Sequence, residues 1–218
     1  MKKIHVRDAV GEVLCHDIAR IVIGKVKDTP FRRGQRITAE DIPLLLSLGK
    51  EHIFVIEPSD TNKMHEEDVA AALYALCAND SIYPSEVREG KIEAFAAHDG
   101  MLSIDVERLN AINAIGELTI VTKWSHTAVK KDDKLAGMRC IPLLLDKSEV
   151  EEAKRIAGDE PLLKVVPFTV KTMGIVTTGS EVATGRIKDA FTPIIKERTA
   201  PFGMELVAHE IVTDDTDL

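Results

Sequence analysis

The sequence predicts an α+β protein: a β-rich N-terminal module followed by the start, one βαβ unit, of an α/β domain. Short alternating strands dominate the first 165 positions, and the helical patterns among them are few and short. Past Pro167 the order changes to strand, glycine turn, helix, strand. With 218 residues, 44% of them hydrophobic and 29% charged, the chain is long enough for one large or two modest domains that fold without staples. The expected division is a β-rich subdomain over 1–60, a mixed, barrel-like α/β module over 61–166, and a partial α/β domain over 167–218.

From Lys2 to Ile23 the apolar residues Ile4, Val6, Val13, Leu14, Ile18, Ile21 and Ile23 predict two or three short strands, with a turn at Val10-Gly11-Glu12 and an end at Gly24. Thr38, with Glu40 and Asp41, supplies a cap and first-turn charge for a helix over about Ile42 to Leu48, which Gly49 ends. His52 to Ile56 is a β-branched run of strand length, closed by Pro58 and Asp60. Asp60 to His65 lacks apolar periodicity and is expected to be a linker. Glu66-Glu67-Asp68 then open a helix through about Cys77 on the spacing Val69, Ala72, Leu73, Leu76.

Gly90 to Leu145 reads as continuous β structure, a half-barrel or sandwich. Ile92, Ala94 and Ala96 alternate, Asp99-Gly100 marks a hairpin, Leu118 to Val121 is a buried run, and Met138 to Leu145 is a further strand. Ser148 to Ala157 predicts a charged helix with Val150, Ala153, Ile156 and Ala157 on its apolar face, and Gly158 to Pro161 is expected to close the module.

The composition also restricts function. Cys15, Cys77 and Cys140 form no CxxC pair, so neither a disulfide framework nor a zinc knuckle is expected, and a reducing cytoplasm is. A formal charge of −8 and 4% aromatic residues argue against nucleic acid as partner. No signal-peptide pattern follows the N-terminus, and no apolar run approaches the ~18 to 20 residues of a membrane span, so no membrane partner is expected.

Thr172 to Thr177 has a buried-strand pattern and runs into Thr178-Gly179-Ser180-Glu181. Thr192-Pro193 fits an N-cap followed by proline at the first helical position, with Ile194 and Ile195 apolar. Pro201 and Gly203 stop that helix, Glu205 to Val212 gives the second strand, and an acidic tail runs from Thr213 to Leu218. Two parallel strands cannot cover their own faces, so the domain is expected to be unfinished at Leu218, or its sheet covered by a further chain in a homo-oligomer. Ligands of open α/β sheets bind at the carboxyl ends of the strands, where Thr177 to Glu181 falls.

Gly174 to Val182, Gly185-Arg186-Ile187-Lys188-Asp189, Phe202 to Leu206 and Val212 to Asp215 together resemble the opening of the molybdopterin-binding domain of the molybdenum-cofactor biosynthesis family, which includes bacterial MoeA and the gephyrin E domain. Asp8 to Gly11 and Val13 to Ile18 are similar, more loosely, to the start of the same proteins. The resemblance implies molybdopterin as ligand, a small-molecule pterin whose phosphate Thr177, Thr178, Gly179 and Ser180 would hold. It also implies Glu181, Asp189 and Asp214 as catalytic acidic residues, Asp189 and Asp214 as ligands of Mg²⁺, and molybdate inserted into the pterin dithiolene. Ser180 stands where the metal-inserting members carry an acidic residue, and no Asn follows Asp189. Two alternatives therefore stay open: a non-catalytic pterin-binding or regulatory module, and a self-associating scaffold.

Other candidates carry simpler readings. Cys15 and His16 would point to opposite faces of a strand, which favours a core cysteine and a surface histidine over a metal site. His65 to Asp68 reads as a helix start complementing the dipole. Trp124 reads as a core or hinge anchor.

Overall fold

The protein is described here from a computed structural model covering residues 1–22 and 26–215. The expectations for Ile23, Gly24 and Thr216 to Leu218 lie outside the described residues. Helices and strands are mixed along the chain, in keeping with an α+β class.

The N-terminal elements are β1 (Lys2–His5), β2 (Ile18–Val22), β3 (Val26–Phe31), α1 (Asp41–Ser47) and β4 (His52–Val55). β1 pairs antiparallel with β4, Ile4 opposite Ile53, and β2 pairs antiparallel with β3. Val6, Leu14, Ile18, Phe31, Ile37 and Leu45 form the core between them. The segments without named strands are stitched in by backbone bonds, Ile37 N–H to the Glu12 carbonyl and Leu14 N–H to the Gln35 carbonyl, both at 2.9 Å. The start of α1 differs from expectation. Thr38 does not cap it; the Asp41 carboxylate reaches back to accept from the Thr38 N–H and hydroxyl, each at 2.9 Å. Gly49, at φ +74°, ends the helix in a conformation that disfavours a side chain.

A second core gathers Leu73, Leu102, Ile112, Leu118, Ile120 and Leu135 among others. Its elements are β5 (Lys63–His65), α2 (Glu66–Ala75), β6 (Ile82–Pro84), β7 (Lys91–Ala96), β8 (Gly100–Ile104), α3 (Val106–Asn113), β9 (Leu118–Thr122), β10 (Thr127–Val129), β11 (Lys134–Cys140), β12 (Leu144–Asp146), α4 (Lys147–Ala157) and β13 (Leu163–Val166). They form an antiparallel sheet of order β6-β7-β11-β9, a second of order β10-β8-β13, and the pair β5–β12. Helix α2 packs on β7 and β11, and α3 packs on β9 and α4.

Several expectations are corrected in this region. Asp60 to His65 is not a free linker: Pro58–Asn62 is a 3₁₀ turn, and β5 pairs with β12, Met64 opposite Leu145. Gly90 to Leu145 is not continuous β structure, because the Asp105 carboxylate accepts from the Arg108 N–H at 2.9 Å and starts α3. The chain does not close at Pro161, since β13 follows and pairs with β8. Trp124 is 88% exposed and anchors no core. Cys15, Cys77 and Cys140 are free and buried, and burial pushes the Cys77 thiol up to about 12 and Cys140 to about 11, so neither presents a reactive thiolate. Cys15 is buried and His16 half-buried, while Asp17 is exposed and paired with Arg32 at 3.0 Å. No helix among the described residues is long and apolar enough to cross a membrane.

The last elements are β14 (Thr172–Thr178), α5 (Ser180–Ala183), α6 (Phe191–Thr199) and β15 (Glu205–Val212). β14 and β15 pair in parallel, Thr178 opposite Val212, which brings their carboxyl ends together. The buried-strand expectation for β14 is not met: Val176 is 66% exposed, and only Thr177 on the strand is buried. Two strands and α6 provide too little cover for both faces.

Candidate functional site

The site is built at the carboxyl ends of β14 and β15, where the chain turns from Thr178 into α5. Gly179 makes the turn at φ +150°, and a Cβ there would meet the Glu181 carboxylate at 3.4 to 3.6 Å. The conformation favours glycine, while the space itself would admit a Cβ at ordinary contact distance. The turn is tied to the second strand in two places: the Gly179 N–H donates to the Val212 carbonyl at 3.0 Å, and the Ser180 N–H donates to Asp214 Oδ2 at 3.2 Å. Downstream, the Glu181 carbonyl accepts from the Arg186 and Ile187 N–H groups at 2.9 and 3.1 Å, folding Gly185 and Arg186 back against α5.

Of the residues expected at the site, Thr178, Ser180, Glu181 and Asp214 are exposed around this turn, with Gly179 buried beneath them. Thr177 lies at the same strand end but is 6% exposed, and its hydroxyl faces His209 Nε2 at 3.3 Å instead of the turn. Asp189 stands in a different environment. Its carboxylate accepts from the Phe191 N–H at 2.8 Å, the Thr192 N–H at 3.2 Å and the Thr192 hydroxyl at 2.5 Å, and lies 3.3 Å from His209 Nε2. The Thr192 hydroxyl first, then these backbone N–H groups and His209, hold its carboxyl below the ordinary value.

Asp189 thus satisfies the free N–H groups that open α6. The Thr192-Pro193 cap is corrected accordingly: α6 begins at Phe191, two residues earlier than a Thr192 cap would allow, and Pro193 sits in its first turn. Thr192 and His209 are the residues that the sequence does not reveal. Because the Thr192 hydroxyl donates to Asp189, its oxygen is left to accept from His209 Nε2 at 2.9 Å, which puts the imidazole proton on Nε2. Only alternation on β15, which turns His209 and Ile211 to the same side, hints at this placement.

The donor chemistry can be weighed against the groups that the resemblance implies. Thr178 and Ser180 offer exposed hydroxyls suited to a phosphate, and displacement of Asp214 frees the Ser180 N–H for the same anion. Among the described residues, no three His, Cys, Asp or Glu side chains form a cluster able to hold a metal ion. A Mg²⁺ at this turn would have to draw much of its oxygen shell from the ligand and water, as Mg²⁺ commonly does at phosphates.

Comparison with known families assigns two stretches. Residues 3–57 match the model of a domain of unknown function, DUF8806. Neither the curated proteins nor the solved structures contain a match to the chain. Residues 174–218 match the model of a probable molybdopterin binding domain, and all of the candidate residues at and behind the glycine turn lie inside that match.

Proposed function

We propose that the chain binds molybdopterin at the carboxyl ends of β14 and β15, as part of molybdenum-cofactor assembly. The observation that carries this reading is the Gly179 turn, tied to β15 through Val212 and Asp214 within the segment that matches the molybdopterin-binding family. Thr178, Gly179 and Ser180 hold the pterin phosphate through hydroxyl and N–H groups, and Thr177 supports the strand end from behind. Glu181 and Asp214 are the acidic groups nearest that phosphate, placed to face molybdate or Mg²⁺ where these accompany the pterin. Asp189 acts as a positioning residue, since its oxygens are already used by α6 and His209. The finer role on this reading is that of a MoeA-like molybdenum transferase, in which bound molybdate enters the pterin dithiolene.

A second reading, binding without metal insertion, is favoured by Ser180 standing where metal-inserting relatives carry an acid. The test is retention of molybdopterin by the immobilised protein, read by pterin fluorescence after oxidation. Retention is expected to fall about tenfold or more in the Gly179→Val, Ser180→Ala double variant, as loss of hydrogen bonds to a charged group implies. Unchanged retention overturns the reading. Molybdate-dependent loss of the free dithiolene would separate insertion from simple binding.

A further inference from the structure

The sheet of order β6-β7-β11-β9 buries one face against α2 and leaves the other open. On that open face Arg139 lies between Lys91 and Thr119 in register, and Gly137 lies between Glu93 and Val121. Gly137 follows directly on the register shift between Lys134 and Ala136, but its own pairing is regular and no contact there excludes a side chain. Its φ is not positive, and a Cβ there would approach only the Ile92 carbonyl, at 4.0 Å. A glycine in a strand interior weakens the strand, and a common reason for one is close approach by a ligand.

The surroundings indicate what approaches. Lys91, Lys123, Lys134 and Arg139 border a trough of about 500 Å³ whose floor is Gly137 and whose wall includes Val121, 64% exposed. Glu93 pairs with Lys91 and Lys134, and Asp133 pairs with Lys123, at 2.5 to 3.0 Å. Arg139 has no carboxylate within ion-pair distance among the described residues; its Nε–H donates to the Cys140 carbonyl at 3.3 Å, and the half-buried Glu66 carboxylate lies within its electrostatic reach. Four cations against the three carboxylates Glu93, Asp133 and Glu66 leave an excess of positive charge here, in a chain whose net charge is −8. With neighbouring strands about 4.8 Å apart, the side chains of Glu93 and Val121 stand roughly 10 Å from each other across Gly137, which leaves room for a flat ring on the exposed peptide plane. The volume falls within the range of small-molecule sites.

We infer that this face binds a planar heteroaromatic phosphate ester, its ring lying on Gly137 beside Val121 and its phosphate taken by Arg139 and the flanking lysines. The site is separate from the Gly179 turn and does not depend on the reading given for it. An acidic peptide would also meet the cations, but it would have no use for a bare glycine between two flanking side chains.

The experiment uses flavin mononucleotide, riboflavin, adenosine monophosphate and an oligoglutamate peptide as probes, with flavin fluorescence and competition as readouts. Saturable binding of flavin mononucleotide, at least about tenfold tighter than riboflavin and displaced by adenosine monophosphate, is expected. Gly137→Val should weaken it about tenfold, with the thermal midpoint measured alongside, because open space receives the new side chain. If Gly137→Val does not fold, the Lys123→Ala, Arg139→Ala pair carries the same expectation. Gly179→Val should leave this binding unchanged. The inference is overturned if neither phosphate ester saturates below about 1 mM, if binding survives both sets of substitutions, if Gly179→Val abolishes it, or if the peptide displaces the flavin at lower concentration than adenosine monophosphate does.

Discussion

Ile120 on β9 and Val176 on β14 are similar residues in similar elements, yet Ile120 is 1% exposed and Val176 is 66% exposed. Both strands are in register with a neighbour, and both alternate. The difference lies in what covers them: α2 and α3 pack onto the sheet that contains β9, whereas β14 has one strand beside it and α6 against it. Local pattern is enough to form a strand and set its register. Burial, and the roughly 1.5–3 kcal/mol it is worth for such a side chain, comes only from elements brought over the face.

The largest expected effect tests this contrast directly. Ile120→Ala should destabilise the protein by about 2–5 kcal/mol, whereas Val176→Ala or Val207→Ala should stay within about 0.5 kcal/mol, as read by urea unfolding. Equal losses would mean that β14 is covered in solution. A smaller effect sharpens the comparison inside the C-terminal unit. Asp189→Ala should cost α6 about 0.5–2 kcal/mol, seen as faster amide exchange over Phe191–Thr199 while β8 and β11 are unaffected. Loss of protection in the central sheet as well would show that the two regions unfold as one.

The smallest effect concerns pH. His65 and His16 are held below the ordinary histidine value, chiefly by burial; Arg33 adds to this at His65, and Lys50 and then the His65 imidazole add to it at His16. The remaining neighbours, Glu67, Asp68 and the Cys15 carbonyl at His65 and Asp17 at His16, pull the other way. The unfolded chain takes up these protons near pH 6.5 and the folded chain only at lower pH, so stability falls as pH drops from about 6.5 towards the folded values. His65→Gln should flatten that slope in urea midpoints measured on either side of pH 6.5. An unchanged slope would assign the acid sensitivity elsewhere.

The contrast also explains what could be read from the residues alone. The strands and short helices with strong periodicity, β7, β9, α2 and α4, appear close to their expected places because their own side chains carry the signal. Helix α3 was hidden, since Val106-Glu107-Arg108 lacks an apolar stripe until Leu109 and Ile112 reach the core. Strand β5 was hidden because Lys63-Met64-His65 is polar and is held by a partner eighty residues away. At the candidate site, the glycine turn and its acidic neighbours were legible as a motif. The Asp189–Thr192–His209 cluster was not, because it depends on β15 returning against the start of α6, which sets two separate segments side by side.

The pairing of β5 with β12 has a consequence for how the protein is made. His65 leaves the ribosome well before Leu144, its partner in the ladder. At about 5–20 residues per second, that interval is on the order of 4–16 s. During it α2 can form, but its apolar face has no β11 to cover it. The N-terminal elements, complete by Val55, can close first. The half-made central sheet is then the species on which a ribosome-bound chaperone would act.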